Sequence, residues 1–103
     1  MKEMNCYLTL VCHRSLEERL LDHLIEHPEW VEGFSVSHLE GGSQREILSS
    51  MIEQVRGRSQ RIKIQAVMNL DHAHELITYL KNNEPNPEIA YWIMPVLEFG
   101  KLA

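Results

Sequence analysis

The sequence predicts an α+β fold with the element order βαββαβ, and three observations carry that prediction. Apolar residues alternate singly in stretches near 5–12, 34–36 and 61–68, as half-buried strands require. Two stretches, near 16–25 and 73–80, repeat apolar residues at helical spacing instead. A last apolar run, Ile89 to Leu97, follows a turn-rich segment. At 103 residues the chain has room for one domain, residues 1–103, and one modest core.

The first strand covers Asn5 to Cys12, with Cys6, Leu8, Leu10 and Cys12 on one face and Tyr7, Thr9 and Val11 on the other. Ser15 followed by Glu18 has the spacing of a capping box, so it predicts a helix start. Leu16, Leu20, Leu21, Leu24 and Ile25 then form the buried stripe, which stops before Pro28. Past Gly33, Phe34 and Val36 alternate with Ser35 and Ser37 in a second strand that ends at Gly41-Gly42. A polar segment, 41–59, separates it from the third strand. There Ile62, Ile64, Ala66 and Met68 oppose Arg61, Lys63, Gln65 and Val67. Asp71 is the expected cap of the second helix, whose stripe is Ala73, Leu76, Ile77 and Leu80. Asn82 to Pro87 end it. The fourth strand is apolar on both faces and is therefore expected to be buried on both.

Two right-handed crossovers give this order a favoured solution, the ferredoxin-like arrangement: a four-stranded antiparallel sheet with both helices on one face. The other face then carries Tyr7, Val11, Leu39 and Val67, with either Trp92, Met94 and Val96 or Tyr91 and Ile93 from the last strand. Thr9, Arg61, Lys63 and Gln65 wet that face in part. The apolar remainder exceeds what a monomer leaves in water and predicts a partner, most simply another copy.

Fifteen acids against ten bases, net charge −5, argue against binding nucleic acid through its phosphates. No apolar run has the form of a signal peptide or the length of a membrane span, so a cytoplasmic location is expected. Cys6 and Cys12 lie on one strand about 20 Å apart and cannot bridge each other within it.

Val55-Arg56-Gly57-Arg58, the strand Arg61-Ile62-Lys63-Ile64-Gln65 and the later Ile93-Met94-Pro95-Val96 resemble the corresponding parts of the PII-like signalling proteins. The resemblance covers nearly the whole chain in element order. It implies a homotrimer with the sheets facing inward, a small-molecule effector bound between subunits, and a reporter T-loop at 41–59. Arg45, Arg56, Gly57 and Arg58 become the candidate effector or anion site, since arginine holds phosphate and carboxylate in planar, two-pronged contacts. Pairing with Glu46 and Glu53 is the plainer role for those arginines.

The chain departs from the PII pattern before the last strand. Where PII proteins carry a glycine-rich, lysine-bearing loop for ATP, this chain has Glu84, Pro85, Pro87 and Glu88, two acids and two residues without a main-chain donor. It ends at Lys101-Leu102-Ala103 instead of a basic tail, and 41–59 contains no tyrosine. An ATP or ADP-type cofactor held in the family manner is therefore not expected. Ile47, Leu48, Met51, Ile52 and Val55 have helical spacing and could dock on a protein partner or fold back on the assembly itself.

A transition metal is the other cofactor class considered. The topology brings the ends of the first two strands to one edge, so Cys12, His13 and His38 are candidate ligands for copper or zinc, as in a metal-responsive protein resembling the trimeric CutA group and linked to heavy-metal tolerance. Against this, Cys12 lies on the predicted core face, where a cysteine is more often just a small buried hydrophobe. His23 and His27 share a helix face without an evident third ligand, and His72 and His74 lie on different sides of theirs. No nucleophile elbow, phosphate loop or paired acid suggests catalysis, so a non-enzymatic function is expected.

Overall fold

A computed structural model describes residues 3–40 and 60–103. The Arg45, Arg56, Gly57 and Arg58 site and the amphipathic stripe of 41–59 lie outside the described residues. Within them the order is β1 (Cys6–His13), α1 (Glu17–Ile25), β2 (Ser35–Glu40), β3 (Gln60–Met68), α2 (Leu70–Asn83) and β4 (Ala90–Pro95), with a single 3-10 turn, Arg14–Leu16, ahead of α1. The strands form one sheet in the order β2-β3-β1-β4, every neighbouring pair antiparallel. This is the ferredoxin-like βαββαβ fold.

Register assigns each side chain to a face, because residues paired across an antiparallel ladder point the same way. Cys6, Leu8, Leu10 and Cys12 pair with Met68, Ala66, Ile64 and Ile62 on the helix side. All eight are buried, together with Leu20 and Leu24 of α1 and Ala73, Leu76, Ile77 and Leu80 of α2. Leu8, Leu20, Ile62 and Leu76 are each no more than 2% exposed; side chains of this size contribute roughly 1.5–3 kcal/mol apiece on burial. Ile25, expected in the α1 stripe, is instead exposed at the last turn.

Both helix starts differ from expectation. The Ser15/Glu18 box does not form: the Ser15 N–H donates to His13 Nδ1 (3.1 Å), the Ser15 hydroxyl lies 3.0 Å from the same nitrogen, and the chain makes a 3-10 turn before α1 begins. In α2 the cap is Asn69, not Asp71, its Oδ1 accepting the Asp71 N–H at 3.0 Å. Asn5 Oδ1 accepts the next orphan donor, Leu70 N–H, at 2.8 Å, tying the helix start to the entry of β1.

The fourth strand corrects a further expectation. It lies at the edge of the sheet, beside β1 alone, and five of its six residues are exposed. Ile93 packs against the core, whereas Tyr91, Trp92 and Met94 stay exposed.

Candidate functional site

The open side of the sheet is the surface that stands out. Tyr7, Thr9 and Val11 run up its centre, flanked by Val67, Gln65 and Lys63 of β3 and by Met94, Trp92 and Ala90 of β4. Ser35, Ser37 and Leu39 complete it on the β2 side, opposite Gln65, Lys63 and Arg61. The register thus selects Trp92 and Met94 for this face and sends Tyr91 and Ile93 to the helices. Trp92 is 43% and Met94 53% exposed. Thr9 in the middle is buried, and its hydroxyl has no hydrogen-bond partner among the described residues. A shielded hydroxyl of that kind is costly.

At one end the face opens into a cleft of about 1010 Å³ between the sheet and the segment after β4. Tyr7, Phe34 and Val67 form one wall, Leu97 and Phe99 the other. At the opposite end, where β2 and β3 lead into 41–59, Arg14, His38, Glu40, Gln60 and Arg61 line a smaller hollow of about 390 Å³. Arg14 Nη1 donates to Gln60 Oε1 at 2.9 Å, and His38 Nε2 lies 3.0 Å from Glu17 Oε1. These contacts fix the root of the segment to the start of α1.

The three metal candidates do not converge. Cys12 and His38 both pair across to Ile62 and so share the helix side, two strand spacings or about 10 Å apart, whereas His13 projects from the other side. Cys12 is fully buried, and burial pushes its thiol up to about 11 against a smaller opposing pull from the Arg61 charge. Such a thiol is a poor ligand and a poor nucleophile at neutral pH. Burial also raises the Cys6 thiol. Among the described residues, no group of three or more His, Cys, Asp or Glu side chains is placed to hold a metal ion.

His23 and His27 find partners that the sequence concealed. His23 Nδ1 lies 3.1 Å from the Tyr79 hydroxyl and Nε2 3.4 Å from Glu84 Oε1. His27 stacks on Trp30 at 4.5 Å and meets the Tyr79 ring edge-on at 4.3 Å. Arg19 Nε donates to Glu84 Oε1 at 3.0 Å in a two-pronged pair. Glu84 opens the loop before β4, so its carboxylate is turned into the clasp between α1 and α2. Asn86 shapes the rest of that loop, accepting the Glu88 N–H on its side chain and the Ile89 N–H on its carbonyl. His23, Glu84 and Tyr79 are far apart in sequence, and only the α1/α2 packing reveals the cluster.

Comparison with known proteins follows the same lines. No curated protein matches the chain. Among solved structures, a DUF3240 family protein from Shewanella baltica OS155 is similar with a TM-score of 0.75 and 24% identity, covering 98% of this chain and 99% of that one. CPII, a nitrogen regulatory PII-like protein from Thiomonas intermedia K12 bound to ADP, AMP and bicarbonate, is similar with a TM-score of 0.69 and 16% identity over 96% of each chain. A PII-like signalling protein from Thermus thermophilus follows at 0.65 and 15%, over 89% of this chain and 85% of that one. At these identities the likeness is one of fold, and the fold is that of the PII-like proteins. The family model described as a protein of unknown function (DUF3240) matches residues 3–103, and the chain therefore belongs to the DUF3240 family.

Proposed function

We propose that this protein is a non-enzymatic PII-like regulator: copies of the chain associate through the open sheet face as a homotrimer, bind a small effector in the clefts between them, and signal to a protein partner through 41–59. The observation that carries the reading is the face itself. An edge strand presenting half-exposed Trp92 and Met94 on a sheet face that no helix covers is an interface without its other half.

The effector is read as a small anion, alone or on a nucleotide. CPII holds ADP, AMP and bicarbonate, and Arg45, Arg56, Gly57 and Arg58 supply cationic and main-chain donors of the kind such ligands need. A triphosphate clamp at the loop before β4 is not part of the reading. Glu84 is tied to Arg19 and His23, Pro85 and Pro87 donate nothing, and Glu88 adds negative charge there. Among the described residues no helix is long and apolar enough to cross a membrane.

Isothermal titration of the untagged protein with bicarbonate, AMP, ADP and ATP tests the effector assignment. Uptake of bicarbonate or a nucleotide that is lost when Arg56 and Arg58 are both changed to alanine supports it. Uptake that survives that change, or none from any of the four, refutes it.

A further inference from the structure

A further hollow opens on the helix side of the sheet, at the loop that leads into β4. It holds about 150 Å³ and reaches Leu10 of β1, Leu20 of α1 and Ile77 and Leu80 of α2. All four belong to the buried core. Ile89, which packs against that core, and Tyr91 of β4 also line it. An apolar cavity of this volume has room for a body the size of a benzene ring.

The polar groups left available at its rim are donors. Lys81 is exposed on the last turn of α2, and its ammonium lies 5.4 Å from the centre of the Tyr91 ring, its one interaction among the described residues. Lysine and ring both line the hollow, so the aromatic face holds the cation at its edge. Asn86 lines it too, and its Oδ1 accepts the Glu88 N–H at 2.8 Å. That bond leaves Nδ2 as the end of the amide still able to donate.

The acceptors nearby are already used. Glu84 borders the hollow, but its carboxylate pairs with Arg19 and His23. The carbonyls of Tyr79 and Leu80 accept Asn83 Nδ2 at 2.9 Å and the Glu84 N–H at 2.7 Å. Apolar walls with one cation and one amide donor at the rim match a molecule that is apolar at one end and anionic at the other. One cation suits one negative charge, and Glu88 in the same loop disfavours a dianion such as a phosphate ester.

We infer that this hollow binds a small apolar monocarboxylate, its ring or branched chain among Leu10, Leu20, Ile77 and Leu80 and its carboxylate on Lys81 Nζ and Asn86 Nδ2. The site lies within one protomer and goes beyond the function proposed above: it needs neither a second copy nor Arg56 and Arg58.

Sodium benzoate, titrated into isotope-labelled protein and followed by amide chemical shifts, is the probe. Saturable shifts centred on Ile77, Leu80, Lys81, Ile89 and Tyr91 are expected. Lys81→Met keeps the stem and deletes the charge at an exposed position; its amide spectrum reports that it is folded. It is expected to weaken benzoate about fivefold, the worth of one ion contact at a partly exposed site, whereas Arg56→Ala/Arg58→Ala leaves the affinity unchanged. Benzyl alcohol, a ring without the charge, and acetate, a charge without the ring, are each expected to bind more weakly than benzoate. The inference is overturned if benzoate moves none of these amides at about 10 mM, ten times a millimolar Kd. It is overturned equally if Lys81→Met binds as tightly as the parent chain, or if benzyl alcohol or acetate matches benzoate. Uptake lost in the Arg56/Arg58 variant but kept in Lys81→Met overturns this site and leaves the effector reading standing.

Discussion

Thr9 and Trp92 face one another across the β1–β4 ladder on the open side of the sheet, one a buried hydroxyl without a hydrogen-bond partner among the described residues, the other an indole left 43% exposed. The arrangement reverses the usual one, in which the polar group meets water and the ring is covered. It gives Thr9→Val a definite sign. Valine keeps the shape and discards the orphan hydroxyl, so the protomer gains about 1 kcal/mol, or about 4 °C or more in Tm for a domain of this size. A fall in Tm on thermal denaturation would show that the hydroxyl is hydrogen-bonded in the folded protein and would refute the orphan assignment.

Tyr79 ties α1 to α2 by both its ring and its hydroxyl. Tyr79→Phe keeps the edge contact with His27 but leaves His23 Nδ1 without its partner, an expected loss of about 1 kcal/mol. Tyr79→Ala removes the ring as well and costs about 3 kcal/mol. Urea denaturation checks the ranking, and equal losses would show that the ring contacts contribute nothing.

The pair Arg19–Glu84 is exposed on the arginine side only. Arg19 is 65% exposed at the side chain and Glu84 11%, but Glu84 keeps His23 beside it, so Arg19→Met costs about 1 kcal/mol, and the loss shrinks in high salt. A loss above about 2 kcal/mol that is insensitive to salt would contradict this.

Cys12 sets a limit at alkaline pH. Its folded-state thiol titrates near 11 against an ordinary value of 9.0, so the folded form holds the proton more tightly than the unfolded form. The stability it contributes is whole below pH 9 and is lost as pH rises toward 11. Cys12→Ala flattens that part of the stability profile. In native protein at about pH 8, below the ordinary thiol value, both thiols react slowly with Ellman's reagent, and both react at once in urea; a rapid native phase from Cys12 would refute its burial.

The helix cap shows where sequence reading succeeds and where it slips. Asn69 and Asp71 are both good N-cap residues two positions apart, and composition does not choose between them. Asn5, more than sixty residues away, does, by accepting the Leu70 N–H and fixing where the helix begins. Asn69→Ala therefore costs about 1–2 kcal/mol and exceeds Asp71→Ala; the opposite order in thermal melts would restore the Asp71 cap.

The period-two alternations of β1 and β3 and the helical stripe of α2 were legible because each has one dry face, which sequence records directly. The last strand was misjudged for a physical reason. Ile89 to Leu97 is apolar on both faces, and sequence cannot say whether the second cover comes from the same chain or another. The candidate site was less legible. Cys12, His13 and His38 are near in topology yet divided between two faces by register, and His23 and His27 acquire Tyr79 and Glu84 only through tertiary packing.

Native mass spectrometry of the untagged protein at micromolar concentration tests the central claim most directly, with Trp92→Ser/Met94→Ser as its partner sample. The account predicts a trimer for the parent chain and folded monomer for the double variant, because the open face loses the apolar side chains that have no cover within one copy. A parent chain that stays monomeric, or a double variant that stays trimeric, would contradict it.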